Sequence, residues 1–219
     1  MSIGKMGRKM LGPLEPLAVD VYRRPFIDLT SLARTLASIC TPVRIAEIGC
    51  GEGVLATELN HAWPQAQIVG IDITPHPGRL YRGDPGAATF RSCSADELAA
   101  TEPAAFDLVL LCDVLHHVPP PMRAGIAAAA RRLVADNGLL AIKDWERRRD
   151  LATAAAYASD RFITGDRIRY FARDELLGLV GPDAPDRPEL VLDTHTPPRR
   201  NNLLFVWRVT RSHGPPPRS

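Results

Sequence analysis

The stretch A-E-I-G-C-G-E-G, Ala46 to Gly53, decides how the rest of the chain is read. It continues the β-prone run Val43–Ile45 and leads into Val54–Trp63, where apolar residues return at helical spacing. A strand, a tight glycine turn and a helix, in that order, build a ligand site at the carboxyl end of a parallel strand. Glycine tolerates the backbone such a turn demands and lets a ligand approach the main chain. The helix starting near Gly53 adds unpaired N–H groups and the positive end of its dipole.

The turn does not match the dinucleotide fingerprint G-x-G-x-x-G, because Val54 stands where the last glycine belongs. Glu47 and Glu52 would confront a pyrophosphate with like charge, so the loop suits a ligand with a cationic end. Asp72 ends the next strand, Gln67–Ile73, where an acid accepts hydrogen bonds from both ribose hydroxyls. The ligand is read as a nucleoside.

Further out the same alternation continues. Ala88–Ser94 and Phe106–Val114 read as strands, Pro120–Gly138 as a helix with proline at its start and Asn-Gly at its end, and Leu139–Trp145 as a fifth strand. Glu189–Thr196 and Leu203–Thr210 close the chain as two strands with no long helix between them. Ahead of the glycine turn, apolar spacing predicts two helices between residues 14 and 42, broken at Pro25. A polar helical stretch is expected from Glu146 to about Phe162, and a short helix at Arg173–Gly181. The pattern gives an α/β domain over residues 14–211: a mostly parallel seven-stranded sheet, helices on both faces, and an antiparallel C-terminal edge hairpin. Residues 1–13 and 212–219 read as a flexible start and a disordered tail.

Three features together resemble the class I S-adenosylmethionine-dependent methyltransferases, a Rossmann-like family. A-E-I-G-C-G-E-G is similar to their first motif, E/D-x-G-x-G-x-G; Asp72 stands at the ribose position; and F-D-L-V-L-L-C-D-V-L-H-H-V-P, Phe106 to Pro119, resembles the motif that passes beneath the transferred methyl. The resemblance implies S-adenosylmethionine as cofactor, S-adenosylhomocysteine as product, and a small-molecule acceptor methylated on O, N or activated C. It places Glu47, Gly49, Cys50, Gly51, Gly53, Cys112 and Asp113 around the methionine half and Asp72 at the ribose, with Ile73 also in the cofactor site. Ser94, Ala95 and Asp96 fall on the adenine turn, with serine where the family has aspartate, so Ser94 or Asp96 is expected to meet the exocyclic amine. A cyclase-like or non-catalytic S-adenosylmethionine-binding protein is the alternative, and an NAD-dependent oxidoreductase a more distant one.

Methyl transfer is a direct displacement, helped by near-attack positioning and, where the nucleophile carries a proton, by a base. His116, His117 and Asp144 sit at strand ends on the expected substrate rim and are the base candidates; the histidine pair can equally order its own loop. Lys143 or Arg147 could hold an anionic acceptor, and Tyr157, Arg161, Arg169 and Tyr170 are expected to line its pocket from the segment covering it. Asp113 and Asp144 supply too few oxygens for a hard cation, so no metal is expected.

Composition narrows the rest. The 219 residues are 45% hydrophobic and 24% charged, with a net charge of +2 and no basic stripe, which speaks against a nucleic-acid partner. No apolar segment is long enough to enter a bilayer stably. Cys40, Cys50, Cys93 and Cys112 form no CxxC pair and read as free thiols in a reducing, cytoplasmic compartment. A monomer or homodimer is expected.

Overall fold

A computed structural model describes residues 28–147, 169–181, 188–198 and 201–211. Its sheet has seven strands in the spatial order β3-β2-β1-β4-β5-β7-β6. In chain order these are β1 (Arg44–Ile48), β2 (Gln67–Asp72), β3 (Ala88–Ser92), β4 (Phe106–Cys112), β5 (Val134–Trp145), β6 (Glu189–His195) and β7 (Asn202–Val209). The first five run parallel, and β7 lies antiparallel between β5 and β6, as the sequence pattern predicts. Strand order reverses between β1 and β4, and the crevice outside their carboxyl ends is where doubly wound sheets take ligands.

The central strands are continuous apolar runs because both faces are covered. Ala46, Ile48, Val109, Leu111, Leu140 and Ile142 belong to the core that holds α3 (Ala95–Thr101) and α4 (Pro120–Leu133). Their alternates Ile45, Leu108, Leu110 and Ala141 face the opposite core, with α1 (Leu29–Ala37) and α2 (Val54–Ala62). Helix α1 is started by Asp28, whose carboxylate accepts the Ser31 N–H at 2.8 Å. The first of the two expected N-terminal helices lies outside the described residues, as do residues 1–13 and 212–219 and nearly all of the stretch expected to be helical after Glu146. Helix α5 (Arg173–Leu177) covers part of the predicted Arg173–Gly181 helix.

One boundary differs from the sequence reading. The helix expected to run to Asn137-Gly138 ends at Leu133, and β5 begins at Val134. The carbonyls that would continue it are claimed elsewhere: Ala104 and Ala105 donate to Arg132 and Leu133, and the Arg211 guanidinium bonds the carbonyls of Arg131, Arg132 and Val134. Residues 131–134 thus find distant partners that local propensity does not reveal. Among the described residues no helix is long and apolar enough to cross a membrane.

Candidate functional site

The glycine turn follows β1 at the switch point. Gly49 has φ +72°, and a Cβ there would lie 2.4 Å from Val114 Cγ2, so only glycine fits against the loop after β4. At Gly51, φ is +51° and a Cβ would meet nothing within 4 Å, because it would project into an open cleft. That cleft, about 100 Å³, is walled by Glu47, Gly49, Cys50 and Gly51 on one side, Cys112 and Asp113 on another, and the apolar side chains of Leu29 and Leu55. Both thiols are pushed up, Cys50 by burial and then by the nearby Glu47 and Asp72 carboxylates, Cys112 by burial and then by Asp113. They are therefore protonated, weakly polar wall groups.

The two glutamates of the turn have separate roles. Glu47 is buried and lines the cleft. Glu52 instead pairs with Arg79, its Oε1 accepting from Nη2 and its Oε2 facing Nε, each at 3.0 Å. Backbone bonds follow the same seam: Gly78 N–H donates to the Gly51 carbonyl at 2.9 Å and Leu80 N–H to that of Glu52 at 2.7 Å. The segment after β2 is thus strapped onto the glycine turn, and the carboxylates on the cleft wall are those of Glu47 and Asp113. Arg79 carries no sequence signal of this role, since an arginine in a proline-rich loop reads as a solvated charge.

Asp72 ends β2 beside the turn. Its Oδ2 accepts the Gly51 N–H at 2.9 Å and its Oδ1 accepts the N–H and hydroxyl of Thr74, each at 2.8 Å. A carboxylate has about four acceptor sites, so these three bonds orient it and leave about one for a ligand's hydroxyl. Ile73 beside it is 81% exposed. Ser94 is the N-cap of α3 in a capping box with Glu97, Ala95 is buried at the helix start, and the Asp96 carboxylate meets Arg132 of α4 at 2.7 Å. Asp96 thus ties the start of α3 to α4 at the protein surface.

A 3-10 turn, Leu115–His117, follows β4. It is held by Asp144 at the end of β5. The Asp144 carboxylate accepts the N–H groups of Leu115 (3.0 Å), His116 (3.3 Å) and Trp145 (2.7 Å), and its Oδ1 lies 2.7 Å from His116 Nδ1. Burial pushes the Asp144 carboxyl up, but the adjoining His116 imidazole, the Trp145 N–H and the Lys143 ammonium outweigh it and hold the group below its ordinary range. Ionised Asp144 can only accept, so the proton in the His116 contact belongs to Nδ1. His116 is 2% exposed, whereas His117 is exposed, its ring centroid 4.1 Å from that of His116. Of the three base candidates, two are thus locked together in the interior and one reaches the surface.

Lys143 does not project toward an acceptor. It is 2% exposed, and its Nζ donates to both oxygens of Asp113, at 2.6 and 2.8 Å. Asp113, His116 and Asp144 bring ligand-type atoms within 4.8 Å of one another, yet Lys143 and the N–H groups already engage these carboxylates. Trp145 stacks on Tyr170 at 5.5 Å, and Tyr170 is buried there rather than on the wall of the cleft. The Arg169 N–H donates to the His116 carbonyl at 3.0 Å while its guanidinium bonds Glu175, which Arg147 also approaches at 3.6 Å. Arg123, hidden from sequence reading at an apparently solvated helix start, is buried over Phe171 and bonds the carbonyls of Val118 and Arg169. Tyr157 and Arg161 lie outside the described residues. His195, read as a strand residue, ends β6 with Nε2 3.0 Å from Glu146.

Residues 22–181 match the family described as a methyltransferase domain. The chain is 28% identical over 175 residues to the ubiquinone biosynthesis O-methyltransferase of Sodalis glossinidius, an alignment covering 75% of this chain and 68% of the relative. It is 31% identical to the enzyme of the same name from Burkholderia thailandensis, over 63% of this chain and 65% of that one. In fold it is similar to the 1,6-didemethyltoxoflavin-N1-methyltransferase of Burkholderia thailandensis, solved with S-adenosylhomocysteine bound, with a TM-score of 0.64, 17% identity, and 96% and 92% of the two chains covered. The N-methyltransferase NodS of Bradyrhizobium japonicum aligns with a TM-score of 0.58 at 17% identity, over 83% of this chain and 94% of NodS. The chain belongs to the class I S-adenosylmethionine-dependent methyltransferases.

Proposed function

We propose that the protein methylates a hydroxyl oxygen of a small acceptor, with His117 as the base that receives the hydroxyl proton. The observation that carries the base assignment is the burial of its rivals: His116 and Asp144 are bonded to each other at 2.7 Å and nearly inaccessible, while His117 is exposed on the same turn. The names of the O-methyltransferase relatives support oxygen as the acceptor atom.

In this reading Glu47, the Gly49–Gly53 turn, Cys112 and Asp113 hold the methionine half of S-adenosylmethionine, Asp72 takes the ribose hydroxyls, and the exposed Ile73 and the Ser94–Asp96 turn flank the adenine. When bound, the cofactor supplies an electrophilic methyl on a sulfonium. The protein's part is to align the acceptor oxygen with that methyl, exclude water and remove the proton. Arg147 and Arg169 share Glu175 and leave one net positive charge where an anionic group on the acceptor would be met. A cytoplasmic location belongs to the same reading, supported by four free cysteines.

The test is incubation with S-adenosylmethionine and matched catechol and aniline acceptors, followed by mass spectrometry. O-methylated product is expected, with His117→Ala slowing turnover by about 10²-fold or more and leaving S-adenosylhomocysteine affinity unchanged. Methylation confined to the amines would overturn the oxygen reading, and unaltered turnover in His117→Ala would remove the base.

A further inference from the structure

We propose that Lys143 is a charge-balancing residue that keeps Asp113 from over-binding the cationic methyl donor, and so sets how far the site prefers donor over product. The inference rests on the assignment of the cleft above to the methionine half of the cofactor.

Two carboxylates, Glu47 and Asp113, line the cleft. Asp113 sits at the loop after β4 with φ +58°, a backbone that Asp and Asn adopt more readily than other side chains. Its backbone N–H donates to the Lys143 carbonyl at 2.9 Å, so the register of β4 on β5 fixes its position. The Lys143 ammonium then bonds both carboxylate oxygens, while its own side chain is 2% exposed against 17% for Asp113. The Lys143 Nζ also lies 5.4 Å from the centre of the Trp145 ring. The lysine therefore pairs with the carboxylate without itself lining the cleft, and the wall presents a neutralised pair.

That arrangement matters because the reaction discharges its donor. As the carbon–nucleophile bond forms and the carbon–sulfur bond breaks, sulfur keeps the electron pair, its positive charge is lost, and the nucleophile's proton goes to the base. A bare Asp113 carboxylate would stabilise the charged donor more than the transition state or the neutral product, tightening binding while raising the barrier. Lys143 removes most of that bias without giving up the polar wall. The pair thus separates recognition of the donor from penalising its consumption.

The test needs no acceptor. Calorimetry gives dissociation constants for S-adenosylmethionine and for S-adenosylhomocysteine, which lacks the sulfonium charge, and the readout is their ratio, product over donor. A unit charge added to or removed from the wall of a solvent-open cleft, at an effective dielectric between ~20 and ~80, changes a binding constant about tenfold. Lys143→Met keeps the aliphatic stem and should shift the ratio about tenfold toward the donor. Asp113→Asn suits the left-handed backbone and should shift it in the opposite direction by a similar factor. The double variant should return within about threefold of wild type. A ratio that stays constant in both single variants, with S-adenosylhomocysteine still bound, overturns the charge balance. If wild type binds neither ligand, or if Asp72→Ala leaves both affinities unchanged, the cofactor-site assignment itself fails. Should Lys143→Met not fold, the Asp113→Asn shift alone decides, since a passive salt bridge predicts equal losses for both ligands.

Discussion

Replacing Asp144 by asparagine changes one heavy atom and tests whether the 3-10 turn after β4 is held as described. The carboxylate receives hydrogen bonds from two directions: Leu115 and His116 N–H reach Oδ2, and His116 Nδ1 and Trp145 N–H reach Oδ1. An asparagine amide offers one oxygen and one NH2. With the NH2 toward Leu115 and His116 N–H, two buried donors lose their acceptor; flipped, the His116 ring can accept in its other tautomer and the Trp145 N–H loses its acceptor. Each such group costs about 1–3 kcal/mol, and the whole should fall near the ~3–5 kcal/mol typical of breaking a buried pair. Against a domain stability of roughly 5–15 kcal/mol that is a severe loss. The sign with pH follows from the depressed carboxyl. Its ordinary value is about 3.9, and the folded value is lower, because the His116, Trp145 and Lys143 contacts outweigh the opposing effect of burial. The stabilisation is therefore complete above about pH 4 and fades as pH falls through the folded value. Urea unfolding followed by tryptophan fluorescence, with Trp145 stacked on Tyr170 beside the site, reads both effects. A loss under about 1 kcal/mol at pH 7, or a difference from wild type that persists undiminished well below pH 4, would refute the network.

Two smaller tests address the cofactor side, and a third the core beneath α1. Gly49→Ala must place a Cβ 2.4 Å from Val114 Cγ2 at φ +72°, and should cost about 2–4 kcal/mol in thermal unfolding and abolish S-adenosylhomocysteine binding by calorimetry. Arg79→Gln breaks a partly exposed pair with Glu52, so stability should fall by less than about 1 kcal/mol, while the loosened glycine turn weakens S-adenosylhomocysteine several-fold. Burial pushes the Cys40 thiol up to about 11, so iodoacetamide at pH 8 should modify it far more slowly in the native than in the urea-unfolded protein, as followed by peptide mass spectrometry.

What could be read from the sequence follows a physical division. Strand order and cleft position rest on short-range patterns: apolar runs in β1, β2 and β4, glycines where the backbone must turn, and Asp72 at a strand end. These signals are local because the forces behind them are local or act uniformly along an element. The end of α4 is not legible for the opposite reason: residues 131–134 are claimed by Arg211 and by Ala104 and Ala105, partners that no window along the chain contains. The same holds at the rim. Lys143, Asp144 and the histidine pair were visible as chemically capable residues, but their division of labour depends on which direction each points from adjacent strands. Alternation along β5 sends Ile142 and Asp144 toward the face covered by α3 and α4. Lys143 and Trp145 go to the other face, which carries the cleft. One residue of register therefore separates the group that fixes the 3-10 turn from the group that neutralises the cleft wall. Sequence lists the charges; the pleat of one strand decides which of them meet.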